Sequence, residues 1–149
     1  MINLDFIGLF IFIAGFIIGL GAVTVIDIHG FLGRKSSYWT EATTRTHKVT
    51  KPLIWCGILL AIIGGAILYR DLPFSGIPLY HALIALVLIL NGLFLSFYVS
   101  PFLLEKERAG RQTELLPNSL QNKIIVSLII SDIGWWGGLF FLVSHLVNL

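Results

Sequence analysis

The stretch Leu4–Ile28, LDFIGLFIFIAGFIIGLGAVTVIDI, has an acid near each end, Asp5 and Asp27, and no other ionisable side chain between them. A hydrocarbon core takes roughly 20 residues of helix to cross, so this stretch is long enough to span one. Its flanks argue against a cleaved signal: no Lys or Arg precedes it, Asp5 is acidic, and it outruns a signal h-region of roughly 7–15 residues. It is therefore expected to be a retained span.

Three more runs meet the same criterion: residues 53–69, 79–100 and 124–147. The expected fold is all-α, a four-transmembrane-helix bundle forming a single membrane domain over residues 1–149, with loops at 29–52 and 101–123. Short connections make consecutive spans antiparallel neighbours. Composition agrees: 56% of the 149 residues are hydrophobic, 12% are charged and the mean hydropathy is +0.90, outside the range of soluble domains. The expected location is the cell membrane, as a multi-pass protein with the lipid bilayer as its first partner.

Cationic residues sort between the two ends. Arg34, Lys35, Arg45, Lys48 and Lys51 lie between spans 1 and 2, Lys106, Arg108, Arg111 and Lys123 between or bordering spans 3 and 4, and Arg70 alone at the other end. The positive-inside bias makes both basic loops cytoplasmic and puts both termini on the non-cytoplasmic side. Topology and anionic headgroups account for the net charge of +2, so nucleic acid is not an expected partner. Cys56 is the sole cysteine, which excludes an internal disulfide and a cysteine metal cluster.

Between the spans, Ser36 or Ser37 can cap a short interfacial helix carrying Tyr38, Trp39, Ala42 and Val49, with Pro52 then in the first turn of span 2. Pro117-Asn118-Ser119 is a helix-start signal for span 4, and Pro78 opens span 3. Small residues recur at spacings of three, four and seven: Gly8, Gly15, Gly19 and Ala22; Gly57, Ala61, Gly64 and Gly65; Ala85, Gly92 and Ser96; Ser127, Ser131, Gly134 and Gly138. Such stripes let helices approach closely in lipid and predict a compact bundle.

Three segments together, GLGAVTVIDIHGFL (residues 19–32), LILNGLFLSFYVSPFL (88–103) and SLIISDIGWW (127–136), resemble a widespread, functionally uncharacterised family of small four-span bacterial and archaeal membrane proteins. The similarity covers nearly the whole chain and implies the four-span fold. A fainter likeness, through LYHALIALVLIL (79–90), runs to the four-helix membrane haem proteins of the protoporphyrinogen-oxidase and copper-resistance type. Those have a His and then a Lys opening span 3; here His81 is kept, Leu83 stands at the Lys position, and span 1 has no deep His.

Asp132 is the acid nearest the middle of span 4, where a carboxylate costs roughly 2.5–3.5 kcal/mol on insertion scales and needs an interior partner. Asn91 lies at similar depth in span 3, so an Asn91–Asp132 pair across the helix interface is expected, with Trp135 and Trp136 beside it filling the bundle or stacking on a ligand. His81 and His145 fall at one membrane face, His29 and His47 at the other, an arrangement that resembles two-haem membrane cytochromes and makes haem b the candidate cofactor. Nucleophile elbows, phosphate loops and zinc-helix motifs do not occur in the sequence.

Three functions follow in order of expectation. The first is a packing or subunit protein, homo-oligomeric or part of a membrane complex, with a structural polar midplane. The second is a b-type haem or quinone-linked electron carrier. The third is a small proton or cation translocator using Asp132 and Asn91.

Overall fold

The computed structural model describes residues 3–147, and within them the chain is a bundle of long helices, four of which are long and apolar enough to cross a membrane. These four are Leu4–Leu32, Ser37–Leu68, Ile77–Arg108 and Asn118–Val147. Length and apolarity together make this a multi-pass membrane architecture.

Helix α1 (Leu4–Leu32) starts where Asn3 Oδ1 accepts the Asp5 N–H at 3.0 Å, and ends where the Gly33 N–H donates to the His29 carbonyl. Helix α2 (Ser37–Leu68) overturns the expected short interfacial helix followed by a separate span. It runs unbroken with Pro52 in its interior, and Ser36 occupies the N-cap without a side-chain capping bond. The reason is burial: Thr40, Thr44, His47 and Thr50 recur at helical spacing and are all buried, so this segment has a packed face and is no surface ribbon. That face holds the helix through the single backbone bond that proline removes.

The third apolar segment begins as α3 (Ile77–Phe94), with Pro78 in its first turn after Gly76 at φ 57°. It passes through one π turn at Leu95–Val99 into α4 (Ser100–Arg108), so helix occupies the first part of the expected 101–123 loop. Pro101 cannot donate to the carbonyl four residues back, which loosens the ladder where the π turn sits. Helix α5 (Asn118–Val147) starts at the predicted Pro-Asn-Ser signal, with the Leu120 and Gln121 N–H groups donating to the Pro117 carbonyl at 2.9 Å.

Packing follows the small-residue stripes. A Cβ on Gly57 would stand 2.5 Å from Gly19 Cα, and one on Gly15 would stand 2.6 Å from the Ala61 backbone nitrogen, so α1 and α2 touch backbone to backbone. These two helices share the most extensive interface; α3 packs mainly on α5, and α1 also meets α5. The α2–α3 contact is much smaller. In the resulting core Phe12, Phe16, Val23, Ile58, Leu88, Trp135 and Leu142 form one buried cluster, and Val99, Leu103 and Leu120 a second at the basic end.

Candidate functional site: a buried acid and two cavities

Polar side chains inside the bundle form three groups, and the expected partnership of Asn91 with Asp132 is not among them. Asn91 Nδ2 donates to the Ser127 carbonyl at 3.0 Å, and Ser127 Oγ donates to Asn91 Oδ1 at 2.7 Å. Ser127 lies five residues before Asp132, beyond the single turn that brings side chains together on one helix face, so α3 meets α5 at a different level from the one expected. Asn91 uses both ends of its amide on Ser127, with no hydrogen bond to Asp132.

Asp132 is half-buried on α5. The more deeply buried acid is Asp27, which sits on α1 with only 9% of its surface exposed and its Oδ2 buried without a hydrogen-bond partner. Asp27 and His29 are two residues apart, so on a helix they point to different sides and the sequence offers no reason to pair them. The signal for Asp27 was present in the stripe: Gly19, Ala22 and Val23 face the core, and Asp27 continues that face at a spacing of four.

The two tryptophans of α5 separate. Trp135 is 1% exposed; its ring packs edge-on to Phe16 with centroids 5.8 Å apart and lies against Gly19, and its Nε1 is buried without a partner. Trp136 is 58% exposed on the outer surface of the bundle. Adjacent helical residues point about 100° apart, so Trp135 enters the core while Trp136 faces outward.

At the Arg70 end, His81 is bound on both sides. Its Nε2 lies 2.8 Å from the Gly138 carbonyl and its Nδ1 lies 3.1 Å from Tyr69 Oη. A carbonyl only accepts, so Nε2 carries the proton and Nδ1 accepts the tyrosine O–H. Tyr69 also packs edge-on to His145 at 5.1 Å and stacks on His81 at 5.5 Å, placing a phenol ring in contact with both imidazoles. Neither nitrogen of His81 is left for a metal, so the outer pair as arranged does not fit axial ligation of haem b. Arg70 closes this end by pairing with Asp5 at 2.5 Å and Asp71 at 3.0 Å, and the hydrogen bond it donates to Asp5 holds its guanidinium still more firmly protonated.

The inner histidines lie on different neighbours. His29 packs on Trp39 at 5.1 Å, while His47 Nδ1 donates to the Thr44 carbonyl at 2.5 Å, leaving Nε2 as an acceptor. Among the described residues no cluster of three or more His, Cys, Asp or Glu side chains is arranged to hold a metal ion.

Two cavities flank the Trp135 layer. One, of about 120 Å³, lies in the half with the basic loops and reaches from Asp27 past His47 and Lys51 to the Gly33–Arg34 turn, with Trp55, Leu95 and Ile124 in its walls. The other, of about 600 Å³, is an apolar cleft between α2 and α3, floored by Phe16, Leu88 and Trp135 and bounded by Tyr69 and His81. It exists because α2 and α3 barely touch.

No family model matches the chain, and no curated protein and no solved structure matches it either. The family and haem-protein resemblances thus rest on their motifs.

Proposed function

We propose that this chain is a small multi-pass membrane protein that takes up a proton at Asp27 and Asp132 and passes it across the bundle. One observation carries this reading: Asp27 Oδ2 is buried with no hydrogen-bond donor, and the bundle holds a second acid, the half-buried Asp132, on α5. An unpartnered carboxylate in an apolar interior is far costlier charged than neutral, and a second acid adds repulsion. A structural polar lock has no use for that expense, and Asn91 with Ser127 already provides one.

The basic-side cavity supplies the entry, with the free Nε2 of His47 a proton acceptor along it and Asp27 at its deep end. Exit on the Arg70 side passes the Trp135 layer, which is closed here and has to move for transfer. In this reading the spans run antiparallel, the basic loops are cytoplasmic by the positive-inside bias, and the protein sits in the cell membrane. Lys and Arg are absent from the apolar middle of each span, which suits a proton better than an anion.

The test is the purified protein in liposomes. Infrared difference spectra in H2O and D2O should contain a protonated-carboxyl band that Asp27→Asn removes, and dye-reported proton flux should fall about tenfold or more in Asp27→Asn and Asp132→Asn. Wild-type flux equal to that of empty liposomes, or flux that survives both substitutions, overturns the reading.

A further inference from the structure

We propose that the basic-side cavity is also a binding site for an anionic lipid, whose acidic headgroup lies on Arg34 and Lys51 and whose acyl chain enters along Ile54, Leu95 and Ile124. This goes beyond proton uptake and uses different side chains. The observation behind it is how the cations at this end are spent. Arg45 pairs with Glu41, Lys48 with Glu107, and Lys106 and Arg111 with Glu114. Lys35, Arg108 and Lys123 are exposed and lie outside the cavity lining, whereas Arg34 and Lys51 line the cavity without a carboxylate partner among the described residues.

Their existing contacts leave the charge unanswered. Arg34 lies over the Phe31 ring at 5.7 Å and its Nε is buried without a partner, while Lys51 reaches only the Ser96 carbonyl at 3.5 Å. Guanidinium and ammonium groups on the rim of one cavity offer directed and point-charge donors to a phosphate. Behind them the walls are mainly aliphatic, which a free phosphate would leave unfilled and an acyl chain would cover. Two surface cations near anionic headgroups already carry an attraction worth more than tenfold in binding, and a lined cavity makes it local.

Native mass spectrometry of the protein released from mixed phosphatidylglycerol and phosphatidylcholine nanodiscs reads this directly. Wild type should retain phosphatidylglycerol over phosphatidylcholine by about tenfold or more, and Arg34→Gln with Lys51→Gln should reduce the preference to about twofold. Lys35→Gln with Arg108→Gln removes the same charge from exposed cations at the same end and should leave the preference intact. Should the double cavity variant misfold by size exclusion and circular dichroism, Lys51→Gln alone should lower the preference about twofold or more, roughly half the effect in free energy.

Equal loss in the exposed-cation variant would reduce the effect to diffuse surface attraction and overturn the site. Retention in the cavity variants would do the same. Displacement of the lipid by millimolar inorganic phosphate would assign the cavity to a free anion and overturn the lipid.

Discussion

Asn91 and Ser127 exchange hydrogen bonds in both directions, the Asn91 amide donating to the Ser127 carbonyl at 3.0 Å and the Ser127 hydroxyl returning to the Asn91 amide oxygen at 2.7 Å. This reciprocal pair fixes how far α3 can slide along α5. Bonds of this kind between membrane helices average about 0.6 kcal/mol and reach about 1.7. Asn91→Ala and Ser127→Ala should each destabilise the protein by about 1 kcal/mol, and together by less than the sum, with a coupling of about 0.6 kcal/mol. Reversible unfolding in a double-mutant cycle measures it; strict additivity would mean that the two side chains act independently.

The glycines of α1 and α2 are not equivalent. A Cβ at Gly57 would collide with Gly19 backbone, whereas one at Gly21 meets nothing within 4 Å. Gly57→Ala therefore has to push two backbones apart, at an overpacking cost of about 1–3 kcal/mol. Gly21→Ala should be neutral or slightly stabilising, since alanine is the better helix former. Thermal unfolding in detergent distinguishes them, and equal effects would contradict the backbone contact.

Much of this was legible in the sequence, and the failures have causes. Four apolar runs and the stripes of small residues dictate the helices and the faces they bury, because in lipid little else can satisfy a backbone or bring helices close. Gly8, Gly15, Gly19, Gly57, Gly64, Gly134 and Gly138 all lie in the interior as expected. The continuity of α2 through Pro52 was not legible, since it depends on a buried Thr and His face that looks polar by composition. Side-chain partners were least legible. Depth alone put Asn91 level with Asp132, while the actual offset between α3 and α5 selects Ser127 as the partner of Asn91.

Lys106 gives a prediction for the loop between α4 and α5. Its side chain is 7% exposed and its Nζ donates to the Glu114 carbonyl at 2.7 Å and to the Leu115 carbonyl at 3.4 Å. It therefore ties residues 109–117 to the helix end through two loop carbonyls. Lys106→Met keeps the apolar stem and removes the donor, at a cost of about 1–3 kcal/mol. The expected signature is local: amide exchange in residues 109–117 accelerates while α1 and α2 stay protected. Uniform acceleration along the chain would make Lys106 a determinant of the whole fold.

Tyr69 and His81 decide between a structural and a haem-binding outer end. The imidazole donates through Nε2 to Gly138 and accepts at Nδ1 from the Tyr69 hydroxyl, so ligating a metal would break at least one of these bonds and displace the phenol that touches both His81 and His145. Tyr69→Phe keeps the ring packing and loses one hydrogen bond, and should cost about 1 kcal/mol. His81→Ala also removes the second donor to the Gly138 carbonyl and leaves a cavity beside Phe12, for about 2–4 kcal/mol. Protein from haem-replete cells should be colourless in all three forms, with the variants ranked by stability alone. A Soret band in the wild type that His81→Ala abolishes would mean that Tyr69 gives up its place to haem, and would make this end a redox site.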